Sequence, residues 1–328
     1  MANAPVIALI GGGTGSFTLL QGLKGFTPNI TAVVNMSDDG GSSGELRDEF
    51  GVLPPGDIRQ CLVALSNMPE VRDIFAYRYD MNSSLRGHSL GNLILSALEI
   101  KHGDFKQAVE IASSMLDITG RVVPVTLDNH KLVMQDGEER VEGEYLIGHR
   151  RINSADATVS HEPTATLNPD AADAITNADL VVVAPGNLYG SLLPALAVDG
   201  MAEAFKKSSA KKVVISNLVT KPGQTNGWHV TDYVKVIEHY VGKGQIDFVL
   251  FNLDPPSAEL LERYAAEGEY PVATDLKKFA DISASPVGAN LLAKKPAKQD
   301  KNDTIIPRTL IRHDAHQVGR ELMHIFYL

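Results

Sequence analysis

Short apolar runs alternate along this chain with loops rich in Gly, Asn and Ser, and then with stretches whose apolar residues recur at helical spacing. Val6-Ile7-Ala8-Leu9-Ile10 is unbroken by polar residues and ends at three glycines; beyond them Phe17, Leu19, Leu20 and Leu23 fall on one helical face. Thr31 to Met36 forms a second run before another glycine-rich loop. The pattern returns at Leu180 to Ala184, Lys212 to Ser216 and Asp247 to Phe251, each followed by a loop carrying Asn. Strands without polar alternation are buried on both faces, which requires helices on both sides of a parallel sheet. The expectation is a doubly wound, mostly parallel, Rossmann-like α/β fold. Residues 1–328 read as a single large nucleotide-binding domain.

Two stretches break the rhythm. Residues 121–166 carry strand-like segments at Val122 to Leu127, Lys131 to Met134 and Glu139 to Val141, with turn signals at Asp128-Asn129 and Asp136-Gly137. They read as an antiparallel hairpin insertion, with the polar 149–166 segment as a mobile flap. Residues 294–303 have almost nothing to bury and read as a solvated loop.

Charge narrows the partners. With 30 Lys and Arg against 40 Asp and Glu the net charge is −10, which argues against nucleic acid as a partner. The lone Cys61 cannot form an internal disulfide or a multi-thiolate zinc site, and the scattered histidines show no metal-binding spacing. No run approaches a membrane span and the first residues lack a secretion signal, so the expectation is a cytoplasmic protein.

Candidate chemistry sits where strands end, because ligands of α/β sheets bind at the carboxyl edge. Gly11-Gly12-Gly13-Thr14-Gly15 allows close backbone approach to a phosphate at the following helix end. It is neither a Walker A loop nor a clean dinucleotide fingerprint, which disfavours an NAD-type dehydrogenase. Asn35 to Gly44 adds Asp38 and Asp39 beside Ser42 and Ser43; either carboxylate can accept from a sugar hydroxyl, hold Mg²⁺ through water, or act as a base. Asp57 caps a helix or orients a nucleophile with Arg59. His88 and Asn92, four apart, can face one site, and the serine-hydrolase elbow spacing fails around Ser89. Gly186, Asn187 and Ser191, then Asn217 and Lys221, supply small and amide-bearing residues at two later strand ends.

Taken in order, Gly11 to Gly15, Asp38 to Gly44, Pro55 to Arg59 and Gly87 to Asn92 resemble the gluconeogenesis factor (YvcK) family, which is related to the 2-phospho-L-lactate transferases. The resemblance continues through Pro185 to Ser191 and Asn217 to Thr225 to Arg312-His313-Asp314. It implies a cytoplasmic factor that binds UDP-sugars, notably UDP-N-acetylglucosamine. It also implies a part in cell shape and in growth on gluconeogenic carbon, with cell-envelope synthesis proteins and a second copy of the chain as partners. Arg312 is then suited to a diphosphate. No cofactor is required for binding. If the chain is instead a transferase, Mg²⁺ is the expected cofactor and Asp39 and Asp57 the catalytic pair. Gln224 and Asn226 stand where acidic side chains are commoner in the family, and Ala184 and Asn187 where Gly and Ser are expected. Ala315 leaves no hydroxyl for phosphorylation at that position.

Overall fold

The computed structural model describes residues 4–80, 82–153, 156–294 and 310–328. Seven parallel strands make the main sheet: β1 (Ile7–Gly11), β2 (Ile30–Val34), β3 (Arg121–Pro124), and, after a smaller sheet, β7 (Leu180–Val183), β8 (Lys211–Ile215), β9 (Phe248–Asn252) and β10 (Ser285–Ala289). Their order is β10-β9-β8-β7-β1-β2-β3. Ile7, Ala8, Leu9 and Ile10 are all within 1% of full burial, as a strand covered on both faces must be.

The strand order locates the site before any side chain does. From β1 the chain builds outward through β2 to β3, then returns to place β7 on the other side of β1. The loops after β1 and β7 therefore diverge to opposite sides and leave a crevice at the carboxyl edge. The ladder holds both loops level, Ala184 N donating to Ile10 O at 2.9 Å and Asn35 N to Gly11 O at 2.9 Å.

The inserted region differs from its sequence reading. Arg121–Pro124 pairs in parallel with β2 as the edge strand of the main sheet, so the Val122 to Leu127 run is split between that strand and the loop after it. The antiparallel sheet begins later, with β4 (Lys131–Asp136) central between β5 (Glu139–Glu142) and β6 (Thr158–Glu162). The segment read as a flap contains β6, whose Val159 is buried and donates its amide to the Tyr240 hydroxyl at 2.8 Å. Val122 and Val123 match an edge strand because their neighbours on β2 are themselves apolar, a pairing invisible in local sequence. Of the segment read as a solvated loop, residues 295–303 lie outside the described residues. Among the described residues no helix is long and apolar enough to cross a membrane.

Candidate functional site

A cleft of about 750 Å³ opens at the crevice between the β1 and β7 loops. The helix Gly13–Leu23 starts at its floor with no side-chain cap and no acidic residue in the first turn. Its N-terminal amides thus face the cleft edge with a positive dipole end behind them. Close packing demands glycine at two points. A Cβ on Gly12 would fall 2.2 Å from the Asp57 carboxylate, and one on Gly15 only 1.8 Å from the Pro185 carbonyl oxygen. The second contact is what brings the loops together.

Of the residues singled out from sequence, Gly12, Gly13, Thr14, Gly15, Gly186, Asn187, Ser191, Asn217, Lys221 and Arg312 line this cleft. Gly11 is the last residue of β1 and stays in the strand. Asn217 is largely spent on architecture: its side chain accepts from Gly186 N at 3.0 Å and donates to Gly186 O at 2.9 Å, fastening the β7 and β8 loops. Asn187 caps the following turn by accepting from Gly190 N. Lys221 donates to the Gly148 carbonyl of the insertion.

Gln224, which reads in sequence as a lost acidic group, has a different explanation. Its Nε2 lies within hydrogen-bonding distance of the carbonyls of Ile147 (2.9 Å), Gly148 (3.3 Å) and Arg150 (3.2 Å). An ionised carboxylate has no donor to offer three carbonyl oxygens, so the neutral amide is what ties the insertion to the β8 loop.

Asp39 also has a structural task. Its two oxygens accept from Glu144 N at 2.9 Å and Tyr145 N at 2.7 Å, capping the helix Glu144–His149 across 105 residues of sequence. Loss of such a cap costs about 1 kcal/mol, up to about 2. Asp39→Ala is therefore expected to speed amide exchange at Glu144 and Tyr145 while leaving the global unfolding midpoint nearly in place. Unchanged exchange at both amides would remove Asp39 from the cap.

The carboxylates whose surroundings favour the protonated form are Asp38, Asp57 and Glu144. Burial, then the neighbouring charge of Asp38, pushes Asp57 up to about 7, against the opposing pull of the Gly13 amide and Arg59. Burial raises Asp38 as well, although the Ser43 hydroxyl and the Gly40 amide bond its carboxylate. Glu144 is raised to about 8 by burial and by the charges of Asp38, Asp57 and Asp39. Asn35, 2% exposed, donates to Gly190 O at 3.4 Å, and its Oδ1 meets no protein partner among the described residues.

Ser42, His88 and Asn92 converge on one another and not on the large cleft. Ser42 Oγ lies 3.0 Å from His88 Nδ1 and accepts from Asn92 Nδ2 at 3.0 Å. Ser43 sits with them at the start of the helix Gly41–Phe50, against Asp38.

Sequence reading did not single out His313 as a candidate site residue. It is buried on the cleft wall, and its ring is held neutral, its pKa pushed down to about 4 by burial against a bond to the Ser216 carbonyl. Its Nε2 has no protein partner among the described residues. With one ring nitrogen donating to Ser216, Nε2 carries a lone pair and is an acceptor. Tyr264, on the helix Ala258–Ala266, and Glu267 and Glu269 just beyond it also line the cleft.

A family model described as 2-phospho-L-lactate transferase CofD matches residues 7–292. The chain is 38% identical to the gluconeogenesis factor of Bacillus subtilis (strain 168) over 330 residues, 99% of each chain. The chain belongs to the gluconeogenesis factor family of CofD-like proteins. A second family member, the gluconeogenesis factor of Listeria monocytogenes, is 41% identical over 323 residues, 97% of this chain and 95% of that one. The crystal structure of protein BH3568 from Bacillus halodurans superposes with a TM-score of 0.88 at 34% identity, covering 98% of this chain and all of that one. The seven-stranded sheet and the small antiparallel sheet are thus set within a CofD-like family fold.

Proposed function

We propose that this gluconeogenesis factor is a binding protein for a UDP-sugar of the UDP-N-acetylglucosamine class, which acts in the cytoplasm by altering its contacts with cell-envelope synthesis proteins. In this reading it supports cell shape and growth on gluconeogenic carbon. The observation that carries the proposal is the pairing, in the lining of one cleft, of an uncapped helix N-terminus behind a glycine loop with Arg312. Two phosphates need that combination of amide donors and a guanidinium fork. The neutral His313 acceptor suits a ligand N–H or O–H and gives nothing to a phosphate oxygen.

A second reading, a transferase of a nucleotide-linked phospho-group, is favoured by Asp38 and Asp57 behind the same loop. Among the described residues no three His, Cys, Asp or Glu side chains group to hold a metal, and Asp39 is committed to its cap. Asp38 and Asp57 fit Mg²⁺ only if the ion takes its other ligands from water and substrate phosphates, its usual habit. Mg²⁺ held there would neutralise charge on a transferring phosphoryl group. The protein's own part is to present both carboxylates, with Gly13 N–H directed at Asp57.

Calorimetry separates the readings. UDP-N-acetylglucosamine is expected to bind without Mg²⁺ and unaltered, in preference to GDP and NAD. Binding of GDP alone, and only with Mg²⁺, would replace the first reading with the second.

A further inference from the structure

A second cavity, of about 310 Å³, lies beyond the carboxylate pair as seen from the cleft. Asp57 abuts Gly12, which lines the cleft, whereas Asp38 lines the second cavity, so the pair forms part of the partition. Its volume sits at the lower end of small-molecule sites, roughly 300–1,000 Å³.

Its polar walls are built from several elements. Arg59, on the helix Gly56–Leu65, is only 5% exposed and keeps its charge in any protein setting. A chain of hydrogen bonds orients it. Arg59 Nε donates to Asn92 Oδ1 at 2.9 Å, and Asn92 Nδ2 donates to Ser42 Oγ at 3.0 Å. Ser42 Oγ lies 3.0 Å from His88 Nδ1, and His88 Nε2 lies 3.1 Å from Glu45. The Nε edge of Arg59 is thus committed to Asn92. Arg78, half-buried, lines the cavity from a separate loop. The ten-residue helix Gly41–Phe50 begins at the same wall, and its cap residue Gly40 offers no side-chain acceptor. The one carboxylate on the lining, Asp38, is bonded internally by Ser43 and Gly40.

We propose that this cavity is a second ligand site, for the tetrahedral oxyanion of a small phosphate ester, filled independently of the nucleotide cleft. Two guanidinium groups and a helix N-terminus reach it from three elements, an arrangement suited to a tetrahedral anion more than to a planar carboxylate. The inference does not depend on the identity of the nucleotide ligand.

The test uses the full chain with inorganic phosphate as the probe and acetate as comparator, read by calorimetry and ³¹P NMR. Arg59 is left intact, because truncating it strands Asn92 in the core. Gln60 lines the cavity and is half-buried, so changing its charge leaves the packing in place. One added charge at such a distance is expected to weaken phosphate binding about tenfold in Gln60→Glu and to strengthen it by about threefold in Gln60→Lys. Arg78→Ala is expected to match Gln60→Glu. Loss of phosphate binding in Arg312→Ala, with the Gln60 pair unaffected, would put the anion in the nucleotide cleft and overturn the proposal. Equal affinity in all variants, equal binding of acetate, or no binding would overturn it as well. None of these outcomes bears on UDP-sugar affinity, which is titrated separately.

Discussion

Arg312→Ala is expected to weaken UDP-N-acetylglucosamine binding by about 2–4 kcal/mol, the usual cost of removing one partner of a desolvated charge pair. That corresponds to roughly 30- to 1,000-fold in Kd. The fold should survive, because the backbone on both sides is fastened independently of the side chain. Arg312 O accepts from Ala293 N at 2.9 Å, and Asp314 N donates to Leu291 O at 2.7 Å. Arg312→Lys keeps the charge but loses the two-pronged geometry, so an intermediate loss is expected. Calorimetry on both variants, with thermal unfolding as the control for folding, gives the answer. Wild-type affinity in Arg312→Ala would take this residue out of the site and remove the main support for a diphosphate ligand.

Asp57→Asn is expected to stabilise the protein by about 2–4 kcal/mol at pH 8 while abolishing any Mg²⁺-dependent turnover. The stability effect follows from the raised pKa. Folded Asp57 titrates at about 7, whereas an unperturbed carboxyl titrates at 3.8. Between those values the folded state binds a proton that the unfolded chain has released, so stability falls as pH rises through this window. Above it the full penalty of an ionised, buried carboxylate beside Asp38 is in force. Three pH units at about 1.36 kcal/mol each set an upper limit near 4 kcal/mol, and coupling to Asp38 reduces it. The amide introduced by Asp57→Asn carries no charge, so the gap between variant and wild type should be small near pH 4, widen to pH 7, and level off beyond. Urea unfolding at pH 4, 5.5 and 8 measures it; a gap independent of pH would show that the folded site tolerates the ionised carboxylate. A buried carboxylate kept at such an expected cost fits the transferase reading, in which Asp57 stands behind the glycine loop.

Both predictions concern residues visible in the sequence, but for different reasons. Arg312 stood out only through the family resemblance, since one arginine in a polar stretch carries no periodic signal. Asp57 read equally well as a helix cap or as a site residue. The structure supplied its burial, its approach to Gly12, and the charge of Asp38 that raises it. Asp39 shows the opposite outcome. Its place beside Asp38 made it look equally poised for metal or proton work, yet both its oxygens are held by backbone amides of the insertion.

The division has a physical cause. Continuous apolar runs such as Ile7 to Ile10 and Val181 to Val183 have no stable place except inside a parallel sheet, and polar glycine loops at their carboxyl ends have none except at its edge. The fold class and the edge of the sheet at which the cleft opens were therefore determined by local sequence alone. Which polar side chain faces a ligand and which is consumed by another part of the chain was decided only in three dimensions. A hydrogen bond needs a partner within about 3 Å, and the partners here come from distant segments: Asp39 with Glu144, Asn217 with Gly186, Gln224 with Ile147. No spacing rule along the chain carries that information.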